Sequence, residues 1–152
     1  MQLSYQSNHA PAFEGMLADN GPRDVGSYTS EDAAVIGYGM GVKQGASDVT
    51  CALPTAASDT LLGVLVHNQM SRGGVRPKGT TDVLRKGRIY VCPEQEVSPA
   101  DPVFWRVTSD ATEALGHFRR DADGGKAVQI HNARWVRSGH PDQPAVLEIN
   151  LP

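Results

Sequence analysis

Cysteine is scarce in this 152-residue chain: Cys51 and Cys92 are the only two, far apart and at no metal-ligand spacing. Neither a disulfide framework nor a cysteine zinc site can therefore supply rigidity, and both residues read as reduced thiols packed as small hydrophobes. Long apolar runs are missing too. Nothing approaches the roughly 20 consecutive apolar residues of a membrane-spanning helix, and the first thirty residues lack a basic start followed by an apolar block, so the sequence predicts neither membrane insertion nor export. Neither sign of charge dominates: the net charge is −3 and the pI near 5.9, which gives no global attraction to nucleic acid or an anionic membrane. The last scarcity is of helical periodicity, since no stretch of ordinary helix length repeats at 3.6.

What the chain has instead is turn chemistry and alternation. Its 16 glycines and 10 prolines exceed the usual combined share of about 12%, and that favours many short elements. At 39% hydrophobic and 20% charged the balance suits one domain with a core, burying roughly 70% of its unfolded surface.

From residue 33 the dominant period is two. "AAVIGYGMGV" (33–42) alternates Ile36, Tyr38, Met40 and Val42 with glycines, and a bare glycine face in a strand predicts a bend, a bulge or another backbone pressed close. "TLLGVLVH" (60–67) is apolar on both faces, as a central strand is. "GRIYVCP" (87–93) and "PVFWRVT" (102–108) are joined by a turn-rich connection and read as neighbours in one sheet. "KAVQIHNARWV" (126–136) follows an Asp123-Gly124-Gly125 turn, and "PAVLEINL" (144–151) sets Ala145, Leu147, Ile149 and Leu151 on one side. Only "SDATEALGHFRR" (109–120) offers a second short helix. The expected fold is all-β, a small barrel or a jelly-roll-like sandwich over 33–152. Residues 1–32, polar and poor in strand pattern, read as an N-terminal arm outside it.

Within that arm, "PAFEGMLADNGP" (11–22) places Phe13, Met16 and Leu17 at i, i+3, i+4 after Pro11 and before Asn20-Gly21-Pro22. This predicts about two helical turns, too few to be stable alone. Such a segment needs a surface, which its own core, a neighbouring protomer or another protein could provide.

Motifs for catalysis are sparse. The histidines at 9, 67, 117, 131 and 140 share no ligand spacing, there is no nucleophile elbow or phosphate-binding loop, and Cys92 before Pro93-Glu94 has no histidine near it in sequence. A small trimeric β-barrel enzyme of the dUTPase type would suit the length, yet of its hallmarks only "SRGG" (71–74) is found. No cofactor is expected. The basic stretch "SRGGVRPKGTTDVLRKGR" (71–88) sets Arg72, Arg76, Lys78, Arg85, Lys86 and Arg88 against Asp82 alone. It reads as a long loop, either solvated or held on an acidic protein surface; the aromatics that stack nucleic-acid bases are absent from it.

"AFEGMLAD", "EDAAVIGYGMGVKQG", "DTLLGVLV", "VLRKGRIYV", "SPADPVFWRV" and "ARWVRSGHPDQPAVLEINL" resemble, in that order, segments of the capsid cement, or decoration, proteins of tailed bacteriophages. The resemblance spans nearly the whole chain, with departures at the basic 71–88 stretch and the "HPDQP" turn. It implies a non-enzymatic structural protein, made in the bacterial host cytoplasm and placed on the outer capsid surface of the virion. There it would bind the major capsid protein and itself, as a homo-oligomer such as a trimer, and neither nucleic acid nor membrane. The residues expected to make capsid or subunit contacts are Pro11, Phe13, Met16, Leu17, Arg72, Arg76 and Lys78. A ligand-binding module and a phage tail or baseplate β domain are the alternatives.

Overall fold

A computed structural model describes residues 12–110 and 114–152. Its strands are β1 (Asp24–Ser30), β2 (Gly41–Gln44), β3 (Thr50–Ala52), β4 (Leu61–Leu65), β5 (Thr80–Val91), β6 (Phe104–Arg106), β7 (Phe118–Arg119), β8 (Ala127–Gln129), β9 (Ala133–Arg137) and β10 (Ala145–Asn150), with a 3-10 turn at Asp123–Gly125. The expected all-β class and barrel are what the molecule has. Seven strands run in the order β1-β3-β2-β4-β5-β10-β9, and because β1 also pairs with β5 the first five close on themselves. Closure removes open edges from that part of the sheet. A small sheet, β7-β6-β8, stands apart.

β5 is the spine. Its first half pairs with β1 from Thr29↔Thr80 to Asp24↔Lys86 and with β4 at Val64↔Leu84 and Leu65↔Val83. Its second half pairs with β10 from Asn150↔Lys86 to Ala145↔Val91. The register with β1 shifts between Asp24 and Val25, and Gly87 has φ +130°, a conformation that a side chain would resist. The strand thus changes partners where its sequence, "LRKGR", least resembles a strand.

Two apolar clusters form the core. Ile36, Tyr38, Val42, Cys51, Leu65, Val75 and Val83 make one; the other, larger one gathers Trp105, Phe118, Trp135 and the inner residues of β5 and β10. Trp105 is fully buried. The glycine face of 33–42 is explained by close approach: a Cβ on Gly41 would lie 2.4 Å from Trp105 Nε1, and one on Gly39 would lie 3.2 Å from Gly15 N.

Several expectations need correction. The 33–42 segment is not one strand: Ile36 forms a bridge to Val75, a turn follows at 38–39, and Gly39 at φ +76° redirects the chain before β2. Segments 87–93 and 102–108 lie in different sheets, because the chain between them turns away and β6 pairs with β7 and β8 instead. The 126–136 run is two strands, β8 and β9, divided by a turn at 131–132 and placed in separate sheets. The basic loop ends at 79, where β5 begins. Residues 111–113 of the expected second helix lie outside the described residues; 114–119 form a turn and β7.

Residues 12–30 also differ from the expected arm. The i, i+3, i+4 pattern yields a single turn, closed by Met16 N–H donating to Phe13 O at 3.2 Å, and not two helical turns. Beyond it the backbone joins the sheet: Gly15 N–H donates to Tyr90 O (2.8 Å), Tyr90 N–H to Met16 O (2.9 Å) and Ala18 N–H to Arg88 O (3.0 Å). β1 then lies inside the stretch read as poor in strand pattern. Its residues are mostly polar or glycine, with Val25 exposed and Ser30 the one buried, so apolar alternation could not mark it.

Candidate functional site

The expected contact residues are brought partly together. Pro11 lies outside the described residues. Phe13, 45% exposed, stands at the mouth of a cleft of about 470 Å³ whose walls include Tyr38, His67, Arg72 and Cys92. Its ring meets that of His67 edge-on at 4.6 Å, and His67 in turn lies 4.9 Å from Tyr38. Leu17 faces inward, forms a bridge with Ile89 and packs on the larger core; Met16 is half-buried.

Arg72 joins this cleft to a second, smaller depression of about 170 Å³, which it lines with Val35, Met70 and Arg76. Met70 is 93% exposed and Val35 55%. Phe13, Val35, Met70, Arg72 and Arg76 therefore ring the two connected hollows around the 68–76 loop. Lys78 is exposed further along, its N–H donating to Ser30 O at 3.1 Å. Met70 and Val35 carried no periodic pattern in the sequence. A lone methionine in a polar loop was the only available clue.

The cleft's titratable groups do not form a nucleophilic site. Burial first, then the neighbouring Glu14 carboxylate, push the Cys92 thiol up to about 12, so it stays protonated and unreactive near neutrality. Among the described residues, no group of three or more His, Cys, Asp or Glu could hold a metal ion.

A second charged constellation lies on the small sheet. Arg106 is completely buried, with Nη2 donating to Glu94 Oε2 at 2.9 Å and to Asp123 Oδ2 at 2.7 Å, and Nη1 to Thr108 O at 3.1 Å; its Nε also bonds Glu94. Arg119 completes the group, Nη1 reaching Glu94 Oε2 at 2.7 Å and Nη2 reaching Asp121 Oδ1 at 2.6 Å. The bonds to Glu94 raise the pKa of Arg106. With both guanidinium groups paired, this network ties β6, β7 and the 94–95 and 121–123 turns together.

A row of exposed charges crosses the other face. Asp19, Arg88, Glu148 and Arg134 alternate in sign from the N-terminal segment through β5 and β10 to β9, with contacts of 3.5, 2.6 and 3.1 Å. Hydrogen bonds from Arg134 and then Arg88 hold the Glu148 carboxyl below its ordinary range. Such a ladder satisfies itself across strands.

The family model described as "Structural cement protein (E217 gp24/Pam3 gp6)" matches residues 1–150. No curated protein matches the chain. Among solved structures, a chain from "The capsid of Myoviridae Phage XM1" superposes with a TM-score of 0.74 at 14% identity, covering 99% of this chain and 97% of that one. That likeness shows the fold is shared. With the family model matching from end to end, the chain belongs to the phage structural cement protein family.

Proposed function

We propose that the protein binds the outside of an assembled phage capsid and cements adjacent major capsid subunits, without catalysing a reaction. The observation that carries this reading is the family match over residues 1–150. Its physical complement is a stiff barrel that projects Phe13, Val35 and Met70 beside Arg72 and Arg76, while the one thiol in the cleft is held protonated.

A protein that binds across a junction stabilises the assembled shell by its own binding free energy. Phe13, already about half covered in the free protein, can contribute roughly 1 kcal/mol when its exposed part is buried. A homo-oligomer, such as a trimer, would engage several junctions at once and multiply the affinity through effective concentration. Rigidity matters as well, because a preorganised face loses little entropy on docking.

The test is to mix the protein with expanded, undecorated shells of its phage and sediment them. The protein should pellet with the shells and raise their thermal disruption temperature. Protein left in the supernatant, or bound with no gain in shell stability, would contradict cementing.

A further inference from the structure

Met70 is an unusual residue to leave in water, and the loop that carries it is built to hold it there. Tyr38, from the smaller core cluster, donates its hydroxyl to Ser71 O at 2.5 Å, with Asn68 O 3.4 Å away. Asn68 Oδ1 accepts from Met70 N–H at 2.9 Å, and Ser71 Oγ donates to Gly74 O at 2.7 Å. The following residues are anchored by the reciprocal Ile36 and Val75 backbone bonds of 3.0 and 2.8 Å. Gly74, at φ +117°, has room for no side chain, since a Cβ would lie 2.5 Å from Ile36 O. The tip is therefore fixed from below, and its most exposed apolar side chain, Met70, is left 93% exposed among the described residues.

The surroundings define what would cover it. Besides Met70, the depression is lined by Val35, Ser71, Gly73 and Gly74 and by two charged residues, Arg72 and Arg76. Among the described residues, no carboxylate lines it. An unbranched, polarisable side chain adapts to an apolar socket, and guanidinium groups beside it select carboxylates, which they can meet with paired hydrogen bonds.

We propose that the 68–76 loop is a preformed plug for a capsid subunit: Met70 enters an apolar socket whose rim carries carboxylates that pair with Arg72 and Arg76. This rests on the capsid-binding reading above and names the chemistry of the surface that is bound. The apolar contact supplies grip, and the arginines fix orientation and reject surfaces of the wrong charge.

The experiment measures binding of the full chain to expanded, undecorated shells for wild type, Met70→Ala, and Arg72→Glu with Arg76→Glu, at low and high salt. All three residues lie on the surface, so the variants should melt with the wild type. Met70→Ala should weaken binding about tenfold at both salt concentrations. The double charge reversal should weaken it more, and mainly at low salt, where charge pairs are least screened. A photo-crosslinker at position 70 should capture an acidic segment of the major capsid protein. If wild type binds but the variants bind equally well, or position 70 crosslinks to a second copy of this chain or to a segment without carboxylates, the plug is wrong while capsid binding stands. If wild type fails to bind, both readings fall.

Discussion

Phe13 and Leu17, four residues apart, have opposite surroundings. On a helix they would share a face; here the turn at 14–15, with Gly15 at φ +80°, redirects the chain between them, so they do not. Leu17 packs on the larger core while Phe13 stays 45% exposed with one edge on His67. The sequence pattern thus identified residues that need a surface, and the chain's own sheet satisfies one of them. The two should separate on mutation. Leu17→Ala should cost about 1–3 kcal/mol of folding stability, as removal of a partly buried Leu does, with capsid affinity little changed at temperatures where the variant is folded. Phe13→Ala should leave the melting temperature nearly unchanged and reduce co-sedimentation with shells at least tenfold. Calorimetry and sedimentation of the two single variants check this; equal losses of affinity would refute the division.

At the scale of elements, alternation was legible where a strand has one wet face. Ala145, Leu147, Ile149 and Leu151 are buried as their spacing required. β1 and the first half of β5 were not legible, because the former is mostly polar, with Ser30 its one buried residue, and the latter mixes Val83 and Leu84 with charges. The buried Arg106–Glu94 pair was equally hidden: neighbours in this network are 12 and 25 positions apart in sequence, and only strand pairing brings them together. Glu94→Ala would leave a guanidinium buried without its main partner, and should cost about 3–5 kcal/mol. Replacing both members with apolar residues, Glu94→Leu with Arg106→Met, should recover much of that loss; a double variant melting no higher than Glu94→Ala would contradict this account. A smaller charged element closes the 55–59 turn. Asp59 accepts from Thr55 N–H at 2.7 Å, Ala56 N–H at 2.9 Å and Lys43 Nζ at 3.0 Å. The Thr55 backbone bond, foremost among these, lowers its pKa to about 2. A carboxylate depressed on folding adds stability above its unfolded value near ~4 and loses it as pH falls toward 2. Asp59→Asn should therefore lower stability at pH 7 and flatten its decline between about pH 4 and pH 2, as followed by urea titration at each pH. An unchanged acid limb would count against the turn.

For the whole molecule, the order of segments carried more than any single motif. Turn chemistry and period-two runs were enough for an all-β barrel, and the succession from "AFEGMLAD" to "AVLEINL" was enough for the family that the match over residues 1–150 shows. Strand neighbours could not be read, since alternation fixes faces and not partners; hence two segments expected side by side lie in separate sheets. Of the proposed docking face, the sequence suggests Phe13, Arg72 and Arg76 as contact candidates, whereas Met70 stands out only once the loop beneath it has a shape. That face is where the account is most exposed to test. Electron cryo-imaging of shells mixed with the protein should show added density on the exterior, spanning junctions between capsid subunits, with Phe13 and the 68–76 loop toward the shell. Density on the interior, or an exterior barrel that turns this face to solvent, would contradict it.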